Sequence, residues 1–416
     1  MPEPSRGSYT VPTPEPAPRA PTTLLVGLLA LLSAVAPLAT DMYLPAFPDV
    51  ATDLGTTASG VQLTLTAFML GLAAGQLVIG PLSDSTGRRG PLLAGTVLCL
   101  AASVVCALAP DITVLTIARF LQGFTGAAGI VLARAIITDT TRGPSTAKLM
   151  SLMMVIGGIM PVLAPLAGGV VLEFLDWRGI FWVVAALVAV MILGVATVVR
   201  ETLPPAQRHA GGLRNLLANA GTVLRHRGYV TATLVFAMSF GALFSYISAS
   251  PFVLQNVVGL TPLQYSIVFG VNSLGLMGSG ALSIRLVSTL PVRRVLGGGL
   301  TLLLLATVGL FTTVLLGTAL VPVLICMFAL TFSLGFVLGN ASALAMRSVP
   351  TAAGTGSAFM GAFQFLLGAA VAPLVGIGGE HNPMPMAAFA LGCAALAGTS
   401  FLAIPRSPGD GDGARS

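Results

Sequence analysis

The chain has 416 residues, 55% of them hydrophobic and only 8% charged. A soluble globular protein carries about 25% charged residues, so this composition excludes a water-facing surface and indicates an integral membrane protein. The net charge of +6 lies in short loops between apolar runs, which argues for membrane orientation and against a nucleic-acid partner.

In chain order, Pro2, Pro4, Pro12, Pro14, Pro16, Pro18 and Pro21 make residues 1–21 a disordered or extended tail. A helix needs roughly 20 apolar residues to cross the hydrocarbon core. That criterion places spans at 22–45, 59–82, 91–109, 112–134, 147–172 and 177–199, forming an N-terminal half over 22–199. A linker over 200–227 follows. A second half over 228–405 holds spans at 228–252, 262–284, 295–317, 321–344, 354–378 and 385–405, and 406–416 is a short tail. Six spans, a linker and six more describe a duplicated helical bundle, all-α and of twelve transmembrane helices. The run Leu24 to Ala39 also has the form of a cleaved signal segment, but cleavage would remove a span that the duplication needs. In the linker, Leu213, Leu216, Leu217, Ala220 and Leu224 recur at helical spacing. They fit either a helix on the membrane surface or a solvated tether.

The basic residues test this layout. With both termini in the cytoplasm, every Lys and Arg except Arg119 and Arg178 falls on the cytoplasmic side, as the positive-inside rule requires. The expected location is therefore the inner, cytoplasmic membrane. Cys99, Cys106, Cys326 and Cys393 lie inside apolar runs without metal-ligand spacing, and His209, His226 and His381 lie in loops. Neither a metal site nor a membrane histidine relay is expected.

Two ionisable residues remain at membrane depth: Asp41 in the first span and Arg119 in the fourth. Such groups cost about 2.5–3.5 kcal/mol on insertion scales and invite a functional reading. Their similar depth makes them candidates for an ion pair. Burial disfavours an ionised carboxylate and a nearby guanidinium favours it, so the pair is the expected proton-coupling device. The structural alternative puts Asp41 at the interface beside Tyr43 and Pro45, with Arg119 snorkelling outward.

Several strings carry a family likeness. Gly80-Pro-Leu-Ser-Asp84-Ser-Thr-Gly87-Arg88-Arg89 is a tight turn between the second and third spans, and it resembles the loop signature of the major facilitator superfamily. Ser85-Thr86 departs from that signature, which usually has a base after the acid. Arg119-Phe-Leu-Gln122-Gly123 resembles the family's fourth-helix motif. Pro165-Leu-Ala-Gly168-Gly169 resembles its antiporter motif, with Met160 and Ala164 where glycines usually stand. Thr40-Asp41-Met-Tyr43-Leu-Pro45 and Tyr246-Ile-Ser248-Ala-Ser250-Pro251-Phe252, with Asn272, resemble the bicyclomycin- and chloramphenicol-resistance branch of drug:proton antiporters.

The resemblance implies a two-lobed fold and alternating access. It implies an inner gate in which Asp84 caps the eleventh helix and Arg88 and Arg89 help to close it. It also implies a cavity lined by helices one, four, seven and ten, which nominates Tyr43, Gln122, Tyr246 and Asn340. Asn272 joins them as a polar residue at membrane depth, and Phe240 and Phe244 as apolar wall. The expected activity is not enzymatic: it is export of drug-like small molecules in exchange for protons, with no cofactor beyond the proton gradient, by a monomer. The alternative is export of a native metabolite or amino acid, with drug efflux incidental. No Walker-type run and no His-Glu-x-x-His string appears in the sequence.

Overall fold

A computed structural model describes residues 22–208, 221, 223–350 and 353–404. Among these, all regular structure is helical, and 12 helices are long and apolar enough to cross a membrane. A helix satisfies its own backbone groups, which lipid cannot do, so this is the expected form for so apolar a chain. Of the linker positions with helical spacing, Leu213, Leu216, Leu217 and Ala220 lie outside the described residues.

The first span is longer than its apolar run. It comprises α1 (Thr23–Asp41), a 3-10 turn at Leu44–Ala46 and α2 (Phe47–Asp53), where the sequence predicts an end at residue 45. Pro45 and Pro48 lack the N–H that a continuous ladder needs, so the helix breaks without leaving its path. Phe47, Val50 and Ala51 of α2 are buried. Asp41 therefore stands at an internal break of a longer helical path.

The remaining helices are α3 (Ala58–Thr86), α4 (Arg89–Ala107), α5 (Ile112–Thr140), α6 (Pro144–Phe174) and α7 (Trp177–Val198). They are followed by α8 (Arg227–Phe252), α9 (Pro262–Leu286), α10 (Val292–Leu315), α11 (Leu320–Ser348), α12 (Ala353–Val375) and α13 (Met384–Leu402). The largest correction among these is α5, which continues to Thr140 where hydropathy predicts an end at 134. Helix α8 runs on through a π turn at Val253–Val257.

Side chains mark several starts. Thr57 accepts from the Gly60 N–H at α3, Asp111 from Thr113 and Val114 at α5, and Asp176 from Arg178 and Gly179 at α7. Thr261 and Gln264 form a capping box at α9. Each such cap satisfies N–H groups that have no partner within the helix.

Packing between helices depends on small residues, because lipid offers no hydrophobic drive to pair them. Helices α3 and α5 cross so closely that a Cβ on Gly71 or Gly75 would collide with the Phe120 or Phe124 carbonyl. A Cβ on Gly123 would strike that of Phe68. Helices α1 and α3 to α7 contact one another, as do α8 to α13, and α3 with α12 and α6 with α9 join the two sets.

Candidate functional site

Between the two sets lies a cavity of about 550 Å³. The first set contributes Thr40, Asp41, Met69, Gln76 and Arg134, among others; the second contributes Phe240, Phe244, Tyr246, Phe269, Asn272 and Gln364. Asp41 and Arg134 are the only ionisable acid and base on this wall among the described residues. The rest is largely apolar, the usual lining for a small-molecule site with a few convergent polar groups.

One end of the cavity is bolted shut. Gln62 Nε2 donates to the Ser248 carbonyl at 3.0 Å and Gln255 Nε2 to that of Pro45 at 3.0 Å. Ser59 Oγ and Thr66 Oγ1 donate to the carbonyls of Pro373 and Ala369, and the Phe47 and Phe252 rings meet at 6.0 Å. The wall extends away from these bonds toward Gln76 and Arg134, on the side of the 84–89 loop. Hydropathy alone makes Arg134 the last residue of the fourth span, at its cytoplasmic end. The continuation of α5 turns it into a cavity residue, exposed to that space.

Asp41 is partly exposed and makes no side-chain hydrogen bond or ion pair among the described residues. The expected pairing with Arg119 is absent. Arg119 Nη1 donates to the Ala39 carbonyl at 2.9 Å and to Gln122 Oε1 at 2.7 Å. The two charges thus share a level but not a face: residues two apart on a helix point about 200° apart. Ala39 faces α5 and Asp41 faces the cavity.

Arg119 is wholly buried, and its guanidinium lies 4.3 Å from the Phe68 ring centroid, 4.9 Å from Tyr43 and 5.7 Å from Phe181. Its Nε and Nη2 have no partner among the described residues. Aromatic faces supply part of the stabilisation that a carboxylate would otherwise give. The alternative, Arg119 snorkelling outward, is therefore also absent.

The other predicted cavity residues divide. Phe240 and Phe244 line the wall with rings stacked at 5.7 Å. Tyr246 and Asn272 line it together: Asn272 Nδ2 donates to the tyrosine oxygen at 2.9 Å, and Tyr246 stacks on Phe269 at 5.6 Å. Three residues do not reach it. Tyr43 is buried within the first set, its hydroxyl accepting from Thr64 Oγ1 at 3.2 Å. Gln122 is spent on Arg119 and, through Nε2, on Ser103 at 2.8 Å. Asn340 donates to Ser283 Oγ at 2.8 Å and so ties α11 to α9. Each amide has the partner that burial demands.

The antiporter-motif residues Pro165, Gly168 and Gly169 are buried in α6. A Cβ on Gly168 would collide with the Met42 carbonyl, and one on Gly169 with Ser266 of α9. Helix α6 thus rests on the break beside Asp41 and on the other helix set at once.

The 80–89 loop is organised within the first set. Gly80 and Asp84 lie in the last turns of α3, and Gly87 ends that helix with φ +102°. Arg88 Nη1 meets Asp84 at 2.5 Å and Arg88 Nε meets Asp139 at 3.0 Å. Arg89 Nη2 donates to the Ala196 carbonyl at 2.9 Å. Among the described residues the expected cap of α12 by Asp84 is not made: that carboxylate is about half exposed and turns to Arg88, four residues on. Burial pulls the Arg88 guanidinium down, but Asp84 and Asp139 outweigh it and raise its pKa.

Glu201 escaped sequence reading. Its carboxylate accepts from the backbone N–H groups of Arg88 (2.8 Å), Arg89 (3.3 Å), Thr202 (3.1 Å) and Leu203 (3.0 Å). It supplies the negative charge that the arginine-led start of α4 lacks. Partial burial would raise its pKa, but these four N–H groups prevail and lower it. The available signal was a lone acid directly after the sixth span, opposite a basic helix start.

The model of the Major Facilitator Superfamily matches residues 29–373. An uncharacterised MFS-type transporter, YdgK of Bacillus subtilis, is 38% identical over 92% of this chain and 95% of its own. A bicyclomycin resistance protein homologue of Haemophilus influenzae is 29% identical over 85% of this chain and 89% of its own. The multidrug resistance protein MdtL of Escherichia coli is 29% identical over 57% of this chain and 60% of its own. Among solved structures, a D-xylose–proton symporter superposes with a TM-score of 0.71 at 15% identity, covering 90% of this chain and 96% of its own. A bacterial homologue of the lysosomal transporter Spinster gives 0.70 at 16%, covering 92% and 95%. These two likenesses concern the fold. The chain belongs to the major facilitator superfamily.

Proposed function

We propose that this major facilitator exports small amphipathic compounds across the cytoplasmic membrane in exchange for protons, as a monomer with both termini in the cytoplasm. The observation that carries the reading is Asp41, an acid without a hydrogen-bonding partner among the described residues, on the wall of a largely apolar cavity between two helix sets. Such a carboxylate gains or loses a proton according to what fills the cavity beside it. The drug-resistance names of the relatives at 29% identity support the substrate class.

In this reading the cavity is open to the cytoplasm, since the loop carrying Arg88 and Arg89 lies at its unbolted end. A compound enters between the Phe240–Phe244 pair and the Tyr246–Asn272 pair. Rocking of the helix sets about α6 breaks the bonds around Gln62, Gln255 and Ser59 and closes the loop end. Asp41 then meets the outer solution and takes up the proton that it releases on return. One charge crossing 100 mV supplies about 2.3 kcal/mol, enough for roughly a fifty-fold gradient of a neutral solute.

A second reading, export of a native metabolite with an acidic group, is favoured by Arg134 on the same wall. The two separate by substrate: a resistance screen and metabolite profiling of expressing cells identify which compounds are exported. The coupling test is reconstitution in proteoliposomes with an imposed pH gradient. Substrate should drive proton movement in the wild type, and its absence there overturns the antiport mechanism.

A further inference from the structure

A second cavity, of about 370 Å³, lies between α8 and α12. Its wall includes Leu224, Tyr229, Leu234, Phe363, Leu366 and Ala370. On α12 it occupies the side opposite Gln364 and Phe365, which face the central cavity. Phe363 and Leu366 are exposed there at 42% and 57%. An apolar groove on the outer side of a membrane helix presents itself to lipid and not to water.

The rim has the opposite character. Leu224 and Tyr229 line the groove, and Arg225 and Arg227 stand between them in sequence, both exposed. The start of α8 touches the end of α11, where a Cβ on Gly228 would press on Ser348 Oγ; exposed Arg347 is the neighbour of Ser348. None of these three arginines makes an ion pair among the described residues. The sequence explains why: from Thr202 to Gly379 there is not one Asp or Glu. An anion for this rim must come from outside the local chain.

We propose that this groove is a specific site for an anionic phospholipid, with one acyl chain along α8 and α12 and the phosphate group at Arg225 and Arg227. The apolar bed takes the chain, and the uncompensated arginines select the headgroup, as basic pockets beside membrane helices do.

The test uses full-length protein in mild detergent. It is titrated with phosphatidylglycerol and, separately, with phosphatidylcholine of identical chains, and bound lipid is counted by native mass spectrometry. Phosphatidylglycerol should be retained in preference. Each arginine near an anionic headgroup is worth about a factor of five, so the double variant Arg225→Gln/Arg227→Gln should lose roughly twenty-five-fold in its retention. Ala370→Trp, which fills an exposed part of the groove, should weaken both lipids at unchanged melting temperature. If that variant fails to fold, the double arginine variant decides. Equal retention of the two lipids overturns the site, as does phosphatidylglycerol retention that survives the double variant. A crosslink from residues 209–220 to Phe363 that persists at saturating phosphatidylglycerol also overturns it, because the linker is then the occupant.

Discussion

The two helix sets share an architecture but divide the chemistry. The first set holds Asp41 and Arg134 on the cavity wall and the buried Arg119 behind it. At its loop end, Arg88 is matched by Asp84 and Asp139, and the backbone of the turn by Glu201. The second set contributes aromatic rings and two amides to the cavity, and its loop arginines have no acid in the local sequence. There Arg293 Nη1 settles for the Ile404 carbonyl at 2.8 Å and lies over the Phe401 ring at 4.9 Å. Duplication therefore preserves the helices and leaves charge free to diverge. Under the proposed function, the first set handles ions and the second shapes the space in which a substrate sits.

The sharpest way to break this division is to remove the acid. Asp41→Asn should abolish proton-driven accumulation, bringing the roughly fifty-fold ceiling of a one-proton exchanger down to unity. Exchange of labelled for unlabelled substrate should continue, because the aromatic wall remains. Normal proton-driven transport by this variant in proteoliposomes would remove ion handling from the first set. On the opposite wall, Asn272→Ala leaves the Tyr246 hydroxyl without its donor. The expected cost is about 1–1.5 kcal/mol, a roughly five- to tenfold loss of substrate affinity with coupling intact. A change in proton stoichiometry on flux measurement would show that the second set handles ions too.

The same division explains what could be read from sequence. Span positions were legible because twenty apolar residues have few other destinations. Asp41 was legible as a lone acid in such a run. Its relation to Arg119 was not, because depth follows from counting residues whereas azimuth depends on how helices are rotated against one another. Tyr43, Gln122 and Asn340 failed as wall residues for the same reason: each is polar at the right level and turned into its own helix set. Arg134 was misread because hydropathy falls before the helix ends. Asp84 was expected to reach α12, but the acid has a nearer cation in Arg88, four residues on in its own chain.

Smaller effects sharpen the contrast between the loop ends. Arg88→Gln removes charge-assisted bonds to two carboxylates, one of them half exposed. It should destabilise the protein by about 1–2 kcal/mol. Arg293→Gln removes one bond to a neutral carbonyl and one ring contact, for about 0.5–1 kcal/mol. Thermal unfolding of both variants in detergent compares them. An Arg293 effect equal to or larger than that of Arg88 would show that the second set compensates its charges as fully as the first.

The smallest expected effect belongs to Glu201 and is best seen by pH. Its carboxylate is held below the ordinary glutamate value, because four backbone N–H groups outweigh the burial that would raise it. A carboxylate with a lowered folded pKa contributes stability that is fully present above the unfolded value, near 4.3 for glutamate. That contribution is lost as pH falls through the lower folded value. The melting-temperature difference between wild type and Glu201→Gln should therefore be flat from neutrality down to about pH 5 and shrink below it. A glutamine offers one acceptor oxygen where the carboxylate offers two, so a small deficit should remain at the acid end. A difference that grows on acidification would mean that Glu201 is not an ionised cap of α4, and that the first set's loop relies on Asp84 and Asp139 alone.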